Sequence, residues 1–246
     1  MSSSIDFPYY RGVPVDIAPL GWLAIVASVA IGFLLLTMLP FSTFPLNLVP
    51  AILFTGVPLL TLVVVSGGNH TALFGRIGIK QLALAAGFGI LTLAVSLSIG
   101  LILMRVTSMT ANPTAAALAN VGPADIAIFL LRTAIQLLGE ELMTILPLLA
   151  VLWLCVRKFG LSRRVGLVIA VIVSTAWFAA VHLPTYNWNL IQCFGVIGSA
   201  RLMLTAAFLL TRNIWVSTGA HILNDWIEFL LPTLLAIGHT PIEAGA

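Results

Sequence analysis

The chain has 246 residues, of which 60% are hydrophobic and only 8% charged, with a net charge of +3 and a mean hydropathy of +1.13. A soluble domain is nearer half apolar and about a quarter charged, so this composition excludes a soluble enzyme and leaves one membrane bundle of several spans. The small basic excess sits in loops, where it reads as a topology signal, and no nucleic-acid partner is implied.

Apolar runs fall at about 20–39, 48–66, 81–104, 124–156, 165–183, 190–211 and 213–232. They predict an all-α, polytopic integral membrane bundle of about seven transmembrane helices. The whole of 1–246 reads as a single membrane domain. Its first three helices (1–106) are peripheral, and 123–232 forms a catalytic-type core of helices 4–7. The first run is too long for a signal-peptide core and lacks a compact basic flank, so it reads as a retained span. Helix 4 would reach roughly 50 Å at ~1.5 Å per residue, against a core of ~30 Å. It must tilt, start in the interface or bend near Pro147. The stretch 190–232 must reverse near Arg212–Asn213. Cys155 and Cys193, without metal or redox spacing, read as apolar fillers.

Orientation follows from the cations. With the N-terminus inside, Arg11, Arg76, Lys80, Arg157, Lys158, Arg163, Arg164 and Arg212 all fall in or beside inside loops. Arg105 alone falls at an outside edge, and Arg132 and Arg201 fall within helices. The positive-inside rule then places the N-terminus inside and the C-terminus outside, and the expected location is the plasma membrane. The segment 107–122 is the longest outside loop.

Ionisable groups inside spans are costly and mark function by default. Helix 4 carries Arg132, Gln136, Glu140 and Thr144 at spacing four, on one broad face. Glu141 lies about 100° round from Glu140, so one carboxylate faces a site while the other braces it. Helix 5 ends in Phe178 and His182, one turn apart. Helix 7 carries Ser217, Thr218, His221, Asn224, Asp225 and Glu228 on a polar face. A lone intramembrane histidine is commonly just hydrogen-bonded to a neighbouring helix, and a lone glutamate can pair with Arg201. The carboxylate pair and two histidine turns in one half of the chain favour chemistry instead. A carboxylate with neutral imidazoles activates water, directly or through a metal. Other membrane-protease chemistries lack their residues. There is no HExxH, no GxGD, and Gly198–Ser199 lacks the pattern of a serine nucleophile.

Glu140-Glu141, Phe178-x-x-x-His182 and His221-x-x-x-Asp225 resemble, in order, the three motifs of the CPBP family (EExxxR, FxxxH, HxxxN/D). That family contains CAAX-type prenyl endopeptidases and bacteriocin-processing or immunity proteins. The resemblance covers about residues 124–232. It implies a membrane protease in which Glu140 activates water, while His182, His221 and Asp225 stabilise the oxyanion and orient. Glu141 completes the catalytic set as the brace of the pair, and Phe178, Asn224, Arg201 and Arg132 are the supporting set. If a divalent metal such as zinc takes part, Glu140, His182 and His221 are its ligands. The implied partners are the lipid bilayer and a peptide or lipidated protein substrate. The motif arginine would fall at 145, where this chain has Ile145, and Arg132 or Arg201 are candidates to replace it. The rival readings are a non-catalytic membrane partner or immunity protein, and a proton-coupled carrier using Glu140 and His221.

Overall fold

The computed structural model describes residues 6–118 and 121–237. Seven long helices form the frame: α1 (Pro19–Met38), α2 (Val49–Val65), α3 (Ile79–Leu103), α4 (Pro123–Lys158), α5 (Arg163–Val181), α6 (Leu190–Thr211) and α7 (Ile214–Ile237). Among the described residues, α1 to α6 are each long and apolar enough to cross a membrane, α2 together with the 3-10 turn before it. The seventh is long enough at 24 residues, but its polar face dilutes its hydropathy. The expected helices are present, including the reversal at Arg212, whose left-handed backbone (φ 54°) ends α6.

Local chemistry sets these ends. Proline occupies the first turn of α1, α2 and α4, where its missing N–H has no helical partner to lose. Ser162 caps α5 by accepting from the Val165 amide, and Asn189 caps α6 by accepting from the Gln192 amide at 3.0 Å. The long α4 holds Pro147 and finishes in a π-helical turn, Leu154–Lys158. A second π-helical turn, Cys193–Ile197, lies in α6 next to the site.

The core is built around α4, which packs against α1, α2, α5 and α7. Its apolar window is 78% buried, whereas those of the other spans are buried by 17% to 44%. α3 packs along α7 and α6. Leu20, Leu60, Val64, Ile79, Leu101 and Leu210 stand largely exposed on the outside of the bundle. An apolar perimeter of this kind is stable facing lipid and not water.

The two ends of the bundle differ. At one end the basic loops are tied together. Asn213 accepts from the Gly75 amide and donates to the Arg76 carbonyl. Asp6 pairs with Arg163 at 2.7 Å and Asp16 with Arg157 at 3.6 Å. The segment 6–17 folds into this end: Tyr9 and Tyr10 are wholly buried, and Phe7 stacks on Phe208 at 6.2 Å. At the other end, Gln192 and Asn189 hydrogen-bond to the backbone of Ser108 and Thr110, and Asn112 donates to the Tyr186 hydroxyl.

Candidate active site

Gly139 lets α4 approach α2 closely enough to set the carboxylate pair. A Cβ at this position would stand 2.6 Å from the Phe54 ring and 2.7 Å from Thr55 Oγ1. Thr55 also donates to the Ile135 carbonyl at 2.7 Å. The two glutamates that follow are both buried, and they point to different surroundings.

Glu141 is completely enclosed. Arg201, from α6 and equally enclosed, donates to it from both ends of its guanidinium, at 2.6 and 3.0 Å. The Arg201 Nε donates to Thr205, and Phe178 covers the guanidinium with its ring centroid 5.2 Å from Cζ. The expected bracing cation is therefore Arg201. Ile145, at the position of the motif arginine, is wholly buried in the apolar core one turn from Glu141. The cation reaches the same carboxylate from another helix.

The Oε1 of Glu141 also lies 2.9 Å from His221 Nδ1. A carboxylate held on both oxygens by arginine only accepts, so Nδ1 carries a proton and the ring is fixed. His221 Nε2 then faces the cavity, 3.7 Å from Glu140 Oε2 and 3.6 Å from Asp225 Oδ1. His182 Nδ1 sits 2.7 Å from the Phe178 carbonyl. Since a carbonyl only accepts, the free Nε2 of neutral His182 is an acceptor. Phe178 packs against both imidazoles, with ring centroids 4.6 Å from His182 and 6.1 Å from His221. The one-turn spacing of Phe178 and His182 thus has two mechanical uses: it fixes one histidine and supports the other.

Glu140 is the carboxylate left to the cavity. Gln136 Nε2 donates to its Oε1 at 3.0 Å, and no arginine or lysine among the described residues pairs with it. The cavity holds about 250 Å³ and is walled by Glu140, Gln136, Arg132, His182, His221, Asn224, Asp225 and Glu228, with Phe178 and Arg201 behind. Asn224 donates to Asp225 at 3.0 Å and to Glu228 at 3.3 Å, which makes it a spacer between two acids. Arg132 has no salt-bridge partner among the described residues and lies against the Phe129 ring. All the site residues expected from sequence meet at this cavity or directly behind it.

Three expectations on helix faces change. Thr144 is fully buried and donates to the Glu140 carbonyl at 3.0 Å, so it does not hold water beside that carboxylate. Ser217 donates to the Ile214 carbonyl in its own helix, and Thr218 lines a different, largely apolar pocket. Sequence reasoning passes over Asn112, Thr185 and Tyr186, which line the cavity from loops. Their signal is weak, because a loop residue reaches a site through tertiary contact and not through periodicity. Among the described residues, no group of three His, Cys, Asp or Glu side chains has a geometry that could hold a metal ion.

Residues 122–227 match the family model described as type II CAAX prenyl endopeptidase Rce1-like. No curated protein and no solved structure matches the chain. The matched stretch runs from the start of α4 into α7 and contains every residue of the two buried glutamates, the two histidines, Arg201 and Asp225.

Proposed function

We propose that this chain, whose residues 122–227 carry an Rce1-like domain of the CAAX-type membrane protease family, is an intramembrane endopeptidase that cleaves a peptide or the C-terminal segment of a small or lipidated protein. The observation that carries this reading is the split of the glutamate pair. Glu141 is consumed by Arg201 and His221, while Glu140 faces the cavity with only a neutral amide on one oxygen.

In this mechanism a water sits against Glu140 Oε2. Glu140 takes one of its protons as the oxygen adds to the substrate carbonyl carbon. The charge that develops on the carbonyl oxygen needs donors in a water-poor site. Arg132, on the cavity wall without a salt-bridge partner among the described residues, is the group that can supply them. His221 Nε2, between Glu140 and Asp225, passes the proton to the leaving nitrogen as the C–N bond breaks. The first products are a carboxylic acid and an amine; the acid then gives up the second water proton to the amine, leaving a carboxylate and an ammonium, and the proton count closes. Asp225 and Glu228 hold the far wall through Asn224.

The test is cleavage by purified protein in detergent, wild type against Glu140→Gln. The amide preserves volume and removes the proton acceptor, and loss of a general base costs ~10²–10⁴-fold in rate. Normal cleavage by Glu140→Gln would refute the assignment. A biological effect that survives Glu140→Gln intact would instead support the non-catalytic or immunity role.

A further inference from the structure

The direction in which the cavity opens bears on the substrate. Its loop-borne wall residues, Asn112, Thr114, Thr185 and Tyr186, all come from the end of the bundle opposite the basic loops. Thr185 is exposed there. Towards the basic end the cavity floor is the Glu141–Arg201–His221 cluster, with Thr205 and then Phe208 beneath it. Phe7 covers Phe208, and Arg163 and Arg212 lie over Phe7 at 5.1 and 5.8 Å. Among the described residues, none from loops 66–78, 159–162 or 212–213 lines the cavity.

These two ends are also the electrostatic poles of the chain. Every cation outside the helix interiors lies at the closed end, save Arg105. Basic loops are retained on the cytoplasmic side, so the open end faces away from the cytoplasm. A second space, about 590 Å³ and mainly apolar, adjoins the cavity and shares Ser96, Asn112, Tyr186 and Glu228 with it. Its outer wall includes Leu97, Leu101, Met104 and Leu231, which are exposed on the lipid-facing side of α3 and α7. An apolar chain in the bilayer can therefore enter sideways while its polar flank reaches Glu140.

We infer that the site receives its substrate from the non-cytoplasmic side of the membrane. The substrate class is a membrane-inserted peptide with an apolar anchor, cut where that anchor emerges on that side, and not the cytosolic C-terminus of a lipidated protein. The inference rests on the endopeptidase reading above and narrows its substrate.

Two measurements test it separately. Cys155 and Cys193 are both buried and free; they are replaced by alanine, and Thr185→Cys or Ser162→Cys is added. A membrane-impermeant maleimide is applied to intact cells and to inverted membrane vesicles. Thr185→Cys should label in intact cells and Ser162→Cys only in inverted vesicles. Labelling of Thr185→Cys from the cytoplasmic face alone, or from neither face, overturns the orientation. The second measurement uses two reporters expressed with the protein: a single apolar anchor with its flank outside, and a cytoplasmic protein ending in a prenylated C-terminus. Cutting of the anchored reporter alone, abolished by Glu140→Gln, supports the substrate class. Cutting of the cytoplasmic reporter overturns it. Expected labelling with no cleavage of either reporter, in membranes or in detergent, leaves the orientation standing and rejects the endopeptidase reading together with its substrate.

Discussion

Arg201 and Glu141 meet through two hydrogen bonds where neither side chain has any exposed surface. Glu141 in turn fixes the ring of His221. Structure and chemistry are thereby divided between neighbouring glutamates. One turns inward as an anion paired with a cation, and the other is left to face the cavity.

The two glutamates should therefore fail differently when changed. Glu141→Gln leaves the Arg201 charge buried and unpaired, and breaking a buried pair from one side costs ~3–5 kcal/mol. Its denaturation midpoint in detergent should fall sharply, whereas Glu140→Gln should melt close to wild type. Adding Arg201→Met to Glu141→Gln should restore much of the lost stability, because no charge is then stranded. Activity should stay low in that double variant, since a neutral amide oxygen holds the His221 Nδ1 proton less firmly than the carboxylate does. A Glu141→Gln protein as stable as wild type would show that the pair carries no such weight.

Around the cavity, the severity of substitution should follow how directly each group reaches the reacting atoms. His221→Ala removes the proton carrier and should lower the rate about as much as Glu140→Gln, ~10²-fold or more. Asp225→Asn should be milder. Asparagine keeps the shape, and His221 remains held by Glu141 on its other nitrogen. Cleavage rates of the three purified variants decide the order. An Asp225→Asn loss equal to that of His221→Ala would place Asp225 in proton transfer itself.

Much of this site is legible in the sequence because it is written in helical periods. Arg132, Gln136 and Glu140 share a face by spacing, and they line one cavity. Phe178 and His182 are one turn apart and make the contact that spacing predicts. The split between Glu140 and Glu141 follows from the 100° step between adjacent residues. What periodicity does not carry is the choice of partner across helices. By sequence, Arg132 and Arg201 are equal candidates to pair with Glu141, and only the packing of α6 on α5 and the approach of α7 select Arg201. Thr144 shares its spacing with Glu140 yet turns its hydroxyl to the backbone. Segment 6–17 has no helical period, so its burial at the basic end has no signal beyond its aromatic residues, Phe7, Tyr9 and Tyr10.

Gly139 should tolerate no side chain. A methyl group here would collide with the Phe54 ring and with Thr55, both on a neighbouring span. Overpacking of a filled interior costs ~1–3 kcal/mol, and relief by moving α4 would displace Glu140 from His221 on α7. Gly139→Ala should thus lower both the melting midpoint and the cleavage rate. Phe54→Leu in the same chain, which vacates ring atoms nearest the new methyl, should recover part of each. A Gly139→Ala protein with wild-type stability and rate would show that the close approach of α2 does not set the carboxylates.

The seal at the basic end should respond to acid. Partial burial alone would raise the Asp6 carboxyl, but hydrogen bonds from Arg163 and Tyr10, with the charge of Arg163, outweigh it and hold the group at about 2 against an ordinary 3.8. A carboxyl depressed in the folded state stabilises it above the unfolded value and loses that contribution as pH falls through the folded one. The docking of segment 6–17 should accordingly be constant above about pH 4 and weaken between about pH 4 and 2. Hydrogen exchange over Phe7–Ile17, measured against pH with other segments as reference, reads this directly. Asp6→Asn should exchange faster than wild type at neutral pH, because Arg163 loses its anion, and should show no added loss over the acid window. Equal protection of wild type and Asp6→Asn at neutral pH would mean that the buried Tyr9, Tyr10 and Phe7 hold the seal without the ion pair.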